Sequence, residues 1–172
     1  MADHIIKNSL LKAKVSDHGA ELRSLVSLKS NSEIMWQADP KYWGRTSPVL
    51  FPIVGGLWEK KYTYKGESYS LSQHGFARDM DFALVKEAED ELVFELCANE
   101  ETLKKYPFSF SLKIGYKLEG AKLTVSYIVK NAGTGDMYFS IGAHPRLTVI
   151  LATTPCCLKK AARHARIRLD RA

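Results

Sequence analysis

Between Phe108 and Val129 apolar and polar residues alternate with a period of two, a pattern that few folds accommodate. Phe108, Phe110, Leu112, Ile114, Tyr116 and Leu118 interleave with Ser109, Ser111, Lys113, Gly115, Lys117 and Glu119. Successive side chains of a strand point to opposite faces, so this spacing gives one apolar face. A turn at Glu119-Gly120 follows. Leu123, Val125, Tyr127 and Val129 then alternate with Lys122, Thr124, Ser126 and Lys130, which completes an antiparallel hairpin.

The same reasoning sets Tyr62–Lys65 against Ser68–Leu71 across Gly66-Glu67, and Phe82–Lys86 against Leu92–Cys97 across an acidic turn. Leu10–Val15 and Leu22–Leu28 flank the turn signal Asp17-His18-Gly19. Met137–Ile141 reads as a further apolar strand. Glu100–Lys105, stopped by Tyr106-Pro107, is the single short helix expected. Many short strands with almost no helix predict an all-β class, a sandwich or barrel. The 172 residues suffice for one substantial core or two small domains.

Three segments stand apart from this regular pattern. Tyr42-Trp43-Gly44-Arg45-Thr46-Ser47-Pro48-Val49-Leu50-Phe51-Pro52-Ile53-Val54-Gly55-Gly56-Leu57 has two prolines and a glycine pair, which suit an irregular loop across the end of a sheet. Arg45 is its one charge, and the plain structural use of it is a surface ion pair. Gln73-His74-Gly75-Phe76-Ala77-Arg78-Asp79 places an imidazole beside a glycine that permits close approach. Its Arg78-Asp79 step offers a charge pair or a partner for sugar hydroxyls. Ser140-Ile141-Gly142-Ala143-His144-Pro145 puts a second imidazole where a strand leaves the sheet, with Pro145 favouring an extended His144. Either histidine by itself is more often a hydrogen-bonded structural residue than a catalyst.

Taken in order, GAELRSL (Gly19–Leu25), YWGRTSPVLFPIVGGL, HGFARD and GAHP resemble the aldose 1-epimerase (galactose mutarotase-like) family, with a closer match to its bacterial LacX-like branch. The resemblance runs from about Ile5 to Pro145 and covers the amino-terminal part of such a protein. It implies a large antiparallel β-sandwich, here incomplete, that binds a hexose in an open groove and interconverts its α and β anomers. In that reaction a base removes the C1 hydroxyl proton while an acid protonates the ring oxygen. The ring opens, the C1–C2 bond rotates, and closure on the other face gives the second anomer. No cofactor and no metal are implied. The resemblance places His144 as the general acid and His74 as the histidine that orients the sugar. Arg45 and Arg78 match positions lining the groove.

The family's base is a glutamate well downstream of GAHP, and no glutamate follows Pro145 in this chain. Impaired catalysis is therefore expected, since one positioned acid–base group contributes about 10²–10⁴-fold. Residues 146–172 also change in texture. They hold seven basic side chains against Asp170 alone, whereas residues 1–145 hold 18 of each sign, so the tail accounts for the whole net charge of +6. The expected organisation is residues 1–145 as the amino-terminal part of the sandwich and 146–172 as an atypical basic tail, such as a truncation or frame change would leave. Arg146–Thr154 is compatible with a strand. Beyond it, Leu158, Ala162, Ala165 and Leu169 have a loose helical spacing, and no further strand is expected there.

The tail has no aromatic residue for base stacking, which argues against a nucleic-acid partner. No apolar run is long enough to span a membrane, and MADHIIKN lacks the features of a secretory leader, so a cytoplasmic location is expected. Cys97, Cys156 and Cys157 have neither metal-site spacing nor a disulfide framework and read as free thiols. The expected partner is a small-molecule hexose. Half a sandwich would leave an uncovered apolar face, which a homo-oligomer or strand exchange would conceal. The alternative function is a carbohydrate-binding β-sandwich without catalysis.

Overall fold

The computed structural model describes residues 1–148 and 166–170. Its strands build two main sheets. The first is a meander of β1 (Asp3–Lys7), β2 (Leu11–Ser16), β3 (Leu22–Ser27) and β4 (Ser32–Glu33). The second has the order β13-β11-β10-β9-β8, from β8 (Ala83–Glu87), β9 (Glu91–Cys97), β10 (Phe110–Glu119), β11 (Lys122–Asn131) and β13 (Arg166–Asp170). Two short ribbons complete the sheets. One pairs β5 (Val49–Leu50) with β12 (Gly142–Ala143), and the other pairs β6 (Lys61–Tyr64) with β7 (Glu67–Ser70).

The alternating segment forms the centre of the second sheet. Phe110, Leu112, Ile114, Tyr116 and Leu118 are at most 2% exposed. Phe110 faces Asn131 and Glu119 faces Lys122, so the β10–β11 hairpin keeps an unbroken register around Gly120. The apolar face of β10 meets Ile6, Ala13 and Val15 of the first sheet, each fully buried, within one core. Tyr116 links the layers directly, donating its hydroxyl to the carbonyl of Ala20 at 2.6 Å. Burial holds the Tyr116 phenol well above its ordinary pKa.

Helix α1 spans Glu100–Lys105 as its sequence predicts. Asn99 caps it by accepting from the Thr102 amide at 2.9 Å, and the Thr102 hydroxyl returns the favour by accepting from the Asn99 amide at 2.8 Å. A Glu101–Lys105 pair one turn apart supports its surface.

Two sequence expectations change. Met137–Ile141 keeps its alternation, with Met137, Phe139 and Ile141 against the core and Tyr138 63% exposed, yet it is not a strand. Its neighbour is the segment around Pro52, whose carbonyl accepts from the Ser140 amide at 2.9 Å. Proline has no N–H to return the bond, so no ladder forms until Gly142 and Ala143 reach β5. The second change lies in the basic tail. Arg166–Asp170 forms β13, paired in parallel with Ser126–Lys130 of β11, in a sheet whose other pairs are antiparallel. Its RIRLD alternation has a period of two, and β11 presents an unpaired edge to it. The helical spacing assigned to Leu158, Ala162 and Ala165 falls outside the described residues, as do Cys156 and Cys157. Cys97 is an exposed free thiol.

Residues 146–148 run beside the segment that follows β4. The Arg146 carbonyl accepts from the Trp36 amide at 2.9 Å, and the Thr148 amide donates to the carbonyl of Ile34 at 2.8 Å. Leu147 bridges to Met35.

Candidate active site

The irregular loop of residues 42–57 is shaped by a buried carboxylate. Glu21, 2% exposed, sits just before β3 between Ala20 and Leu22. Its Oε1 accepts from the Thr46 amide at 2.7 Å and the Ser47 amide at 2.8 Å. The Thr46 hydroxyl lies between that oxygen, at 2.9 Å, and the Leu22 carbonyl, at 2.8 Å. The other carboxylate oxygen is 3.3 Å from the Arg23 guanidinium. A charge taken out of water needs such partners, and here they come from the loop it anchors.

The other two motifs attach to that loop through the main chain. Phe76 and Ala77 both donate to the carbonyl of Phe51, each at 3.1 Å, and Gly75 lies against the same carbonyl in a parallel bridge. The peptide bond between Phe51 and Pro52 is cis. The His144 amide donates to the Pro48 carbonyl at 3.1 Å, and the Arg146 amide to that of Thr46 at 2.9 Å. Ser140 Oγ accepts from the Val54 amide at 2.8 Å. Phe51, fully buried, is the hub beneath, with its ring against Phe76, Tyr106, Phe110 and Phe139.

His74 has a left-handed backbone, with φ of 67°. It faces Gly55 twice, donating its amide to the Gly55 carbonyl at 2.7 Å and accepting the Gly55 amide on Nδ1 at 2.9 Å. Nδ1 is thereby an acceptor, so the neutral imidazole carries its proton on Nε2 and presents a donor there. Desolvation, then Arg78 and then His144, lower the His74 pKa below the ordinary imidazole value. The neutral form is favoured near pH 7.

His144 follows β12 and is exposed, its ring 5.0 Å from that of Trp43. Trp43 is held in turn, because its carbonyl accepts from the Trp36 indole at 2.9 Å, and the Arg146 guanidinium covers Trp36 at 4.3 Å. Arg45 and Arg78 meet through Asp79, on the 3-10 turn Ala77–Asp79. Asp79 Oδ1 accepts from Arg45 Nη2, and Oδ2 lies 3.5 Å from Arg78 Nε. Arg45 Nη1 also donates to the Arg78 carbonyl at 3.2 Å, and Arg78 Nη2 donates to the Gln73 carbonyl at 2.9 Å.

All four residues singled out in the sequence therefore lie on three loops tied together. The ion-pair reading of Arg45 also holds. Glu21 and Trp43 carry structural weight that the motifs did not reveal, and the charge pair read at Arg78-Asp79 extends to Arg45. For Glu21 the alternation gives no signal of burial, since Glu21 and its neighbour Leu22 are both buried. Among the described residues there is no group of three or more His, Cys, Asp or Glu side chains able to hold a metal ion, and no helix is long and apolar enough to cross a membrane.

Two sheets of mainly antiparallel strands around one core define a galactose mutarotase-like β-sandwich protein. The chain belongs to the aldose 1-epimerase family, whose model matches residues 4–152. Protein LacX of Lactococcus lactis subsp. lactis, in its plasmid and chromosomal forms, is 34% identical over 146 residues, covering 81% of this chain and 48% of the relative. A galactose mutarotase related enzyme from Lactobacillus acidophilus superimposes with a TM-score of 0.80 at 45% identity, covering 86% of this chain and 49% of that one. For a galactose mutarotase-like protein from Lactobacillus casei ATCC 334 the TM-score is 0.85 at 39% identity, covering 88% and 52%. The chain spans about half the length of the curated relatives it matches.

Proposed function

We propose that these loops form the sugar-binding side of an aldose 1-epimerase groove, acting on a hexose without a cofactor. The observation that carries the reading is the His74 imidazole, fixed by the Gly55 amide as an Nε2–H donor and close enough to His144 and Arg78 to feel their charge. A neutral donor of fixed direction suits a sugar hydroxyl, since it orients the ring without competing for the proton in transfer. His144, exposed at the end of β12, is the general acid for the ring oxygen. An imidazole is suited to this role because both its protonation states are available near neutrality. Arg45 and Arg78 supply N–H donors to the hydroxyls.

The C1 hydroxyl proton needs a base, and none of the four residues is a carboxylate. Asp79 is committed to Arg45. Turnover by this 172-residue chain should therefore fall about 10²–10⁴-fold short of a site with a positioned base. The same consideration supports a second reading, in which the groove binds a sugar without interconverting its anomers.

An NMR or polarimetric assay of α-to-β conversion of glucose and galactose tests both, with His144→Ala as control. Acceleration over the spontaneous rate, lost in the variant, is the result expected of an epimerase. Sugar-induced shifts near His74 without acceleration favour the binding reading. Neither acceleration nor shifts would overturn both.

A further inference from the structure

Asp79 stands between the two arginines assigned to the sugar. It takes one Nη2 donor of Arg45 on Oδ1 and sets Oδ2 3.5 Å from Arg78 Nε. That Nε is buried and has no hydrogen-bond acceptor in better position. Two more guanidinium donors are used by main-chain carbonyls, Arg45 Nη1 on Arg78 and Arg78 Nη2 on Gln73. Nearby, Asp81 lies 2.7 Å from His18 Nδ1 and Glu21 lies 3.3 Å from the Arg23 guanidinium. One carboxylate thus offsets one of two positive charges, occupying a donor of the Arg45 fork and lying beside that of Arg78. Its side chain is also 48% exposed, so it faces outward as well as toward the arginines.

We propose that Asp79 is a specificity-determining residue that makes this site select an uncharged hexose over a phosphorylated one. The inference rests on the reading of Arg45 and Arg78 as sugar-facing groups. A phosphate binds arginine best through two parallel N–H donors of one fork. Here the fork of Arg45 is already divided between Asp79 and a carbonyl, and a phosphate dianion seated on it would lie beside a carboxylate, a like-charge contact that disfavours that ligand. A hydroxyl needs a single donor. It also gains from the carboxylate, whose free lone pairs accept its proton, so a pair of neighbouring hydroxyls matches a guanidinium N–H beside Asp79.

The test uses the full chain and two unreactive probes, methyl glucoside and methyl glucoside 6-phosphate, with Kd measured by NMR titration. Conversion of glucose and glucose 6-phosphate is followed in parallel. The wild-type chain is expected to bind the neutral probe at least about tenfold more tightly. Asp79→Asn keeps an oxygen acceptor for Arg45 and removes the charge, and should shift that ratio toward the phosphate by about tenfold, roughly 1.4 kcal/mol. Phosphate binding equal to or tighter than glucoside binding by the wild type overturns the proposal whether or not the variant folds, as does an unchanged ratio in a folded variant. If sugars are interconverted with no charge preference, the epimerase reading stands and this one fails. A ratio that moves as expected without any conversion supports Asp79 as the selector and counts against catalysis. No binding of either probe overturns both.

Discussion

Glu21 and His74 show how much of the site depends on single hydrogen-bond acceptors. Removing the Glu21 carboxylate leaves the Thr46 and Ser47 amides without an acceptor, leaves the Thr46 hydroxyl with the Leu22 carbonyl alone, and deprives Arg23 of its partner. Glu21→Ala should cost about 3 kcal/mol, within the range for breaking a buried charged pair, with a smaller loss for Glu21→Gln, which keeps one acceptor oxygen. Urea denaturation of the two variants against wild type measures both. For His74 the folded pKa lies below the ordinary value, so the unfolded chain binds a proton more readily. Its contribution to stability is complete above about pH 6.5 and is lost as the pH falls from there through the lowered folded pKa. Protonation also places a hydrogen on Nδ1, where the Gly55 amide points. An NMR titration of the imidazole should show a midpoint below that of a free histidine. The midpoint should rise in Arg78→Gln, where the neighbouring positive charge is gone.

At the scale of elements, the contact between the HGF loop and the Phe51-Pro52 segment after β5 is closer than any side chain permits. A Cβ on Gly75, whose φ is 72°, would lie 2.3 Å from the Phe51 carbonyl oxygen and 2.7 Å from Pro52 Cδ, so main chain would have to move. Gly66 in the β6–β7 turn has a similar backbone, with φ of 86°, but nothing within 4 Å of the added atom. Gly66→Ala should cost about 1–2 kcal/mol of left-handed strain alone. Gly75→Ala should cost more and also displace His74, seen as lost sugar-induced shifts together with a lower Tm. The hub residue makes a similar case. Phe51→Ala removes a fully buried ring from four aromatic neighbours and should destabilise by about 3–5 kcal/mol. The strand alternation and the extent of α1, stopped at Tyr106-Pro107, were legible in the sequence, because each depends on neighbours a few positions away. The Met137–Ile141 segment was misread because its alternation is real while its main-chain partner contains Pro52.

Across the whole molecule, protection should follow sheet position. β10 has hydrogen-bonded neighbours on both sides and an inner face that is at most 2% exposed, whereas the β6–β7 ribbon stands as a separate pair. Native-state hydrogen exchange should find the slowest amides in β10 and the adjoining parts of β9 and β11. Amides of β6, β7 and the β5–β12 ribbon should exchange by local opening at lower free energy. That ordering puts His74 and His144 in less protected segments, one on a loop bonded to Phe51 and the other on a segment bonded to Pro48 and Thr46.

The amino-acid sequence determined the alternating strands of the hairpins, helix α1, the turns between them and the four ordered motifs that carry family membership. Periodicity, capping and turn chemistry act over a few residues and can be read in order along the chain. The tertiary structure decided which distant groups answer one another. It set Glu21 on Thr46, 25 residues away, Asp79 on Arg45, 34 residues away, and the Gly55 amide on His74. It also placed a parallel strand on β11. Those pairings depend on the paths of loops around a shared core, and a loop's path follows from what it must bury and satisfy at its destination rather than from its local composition.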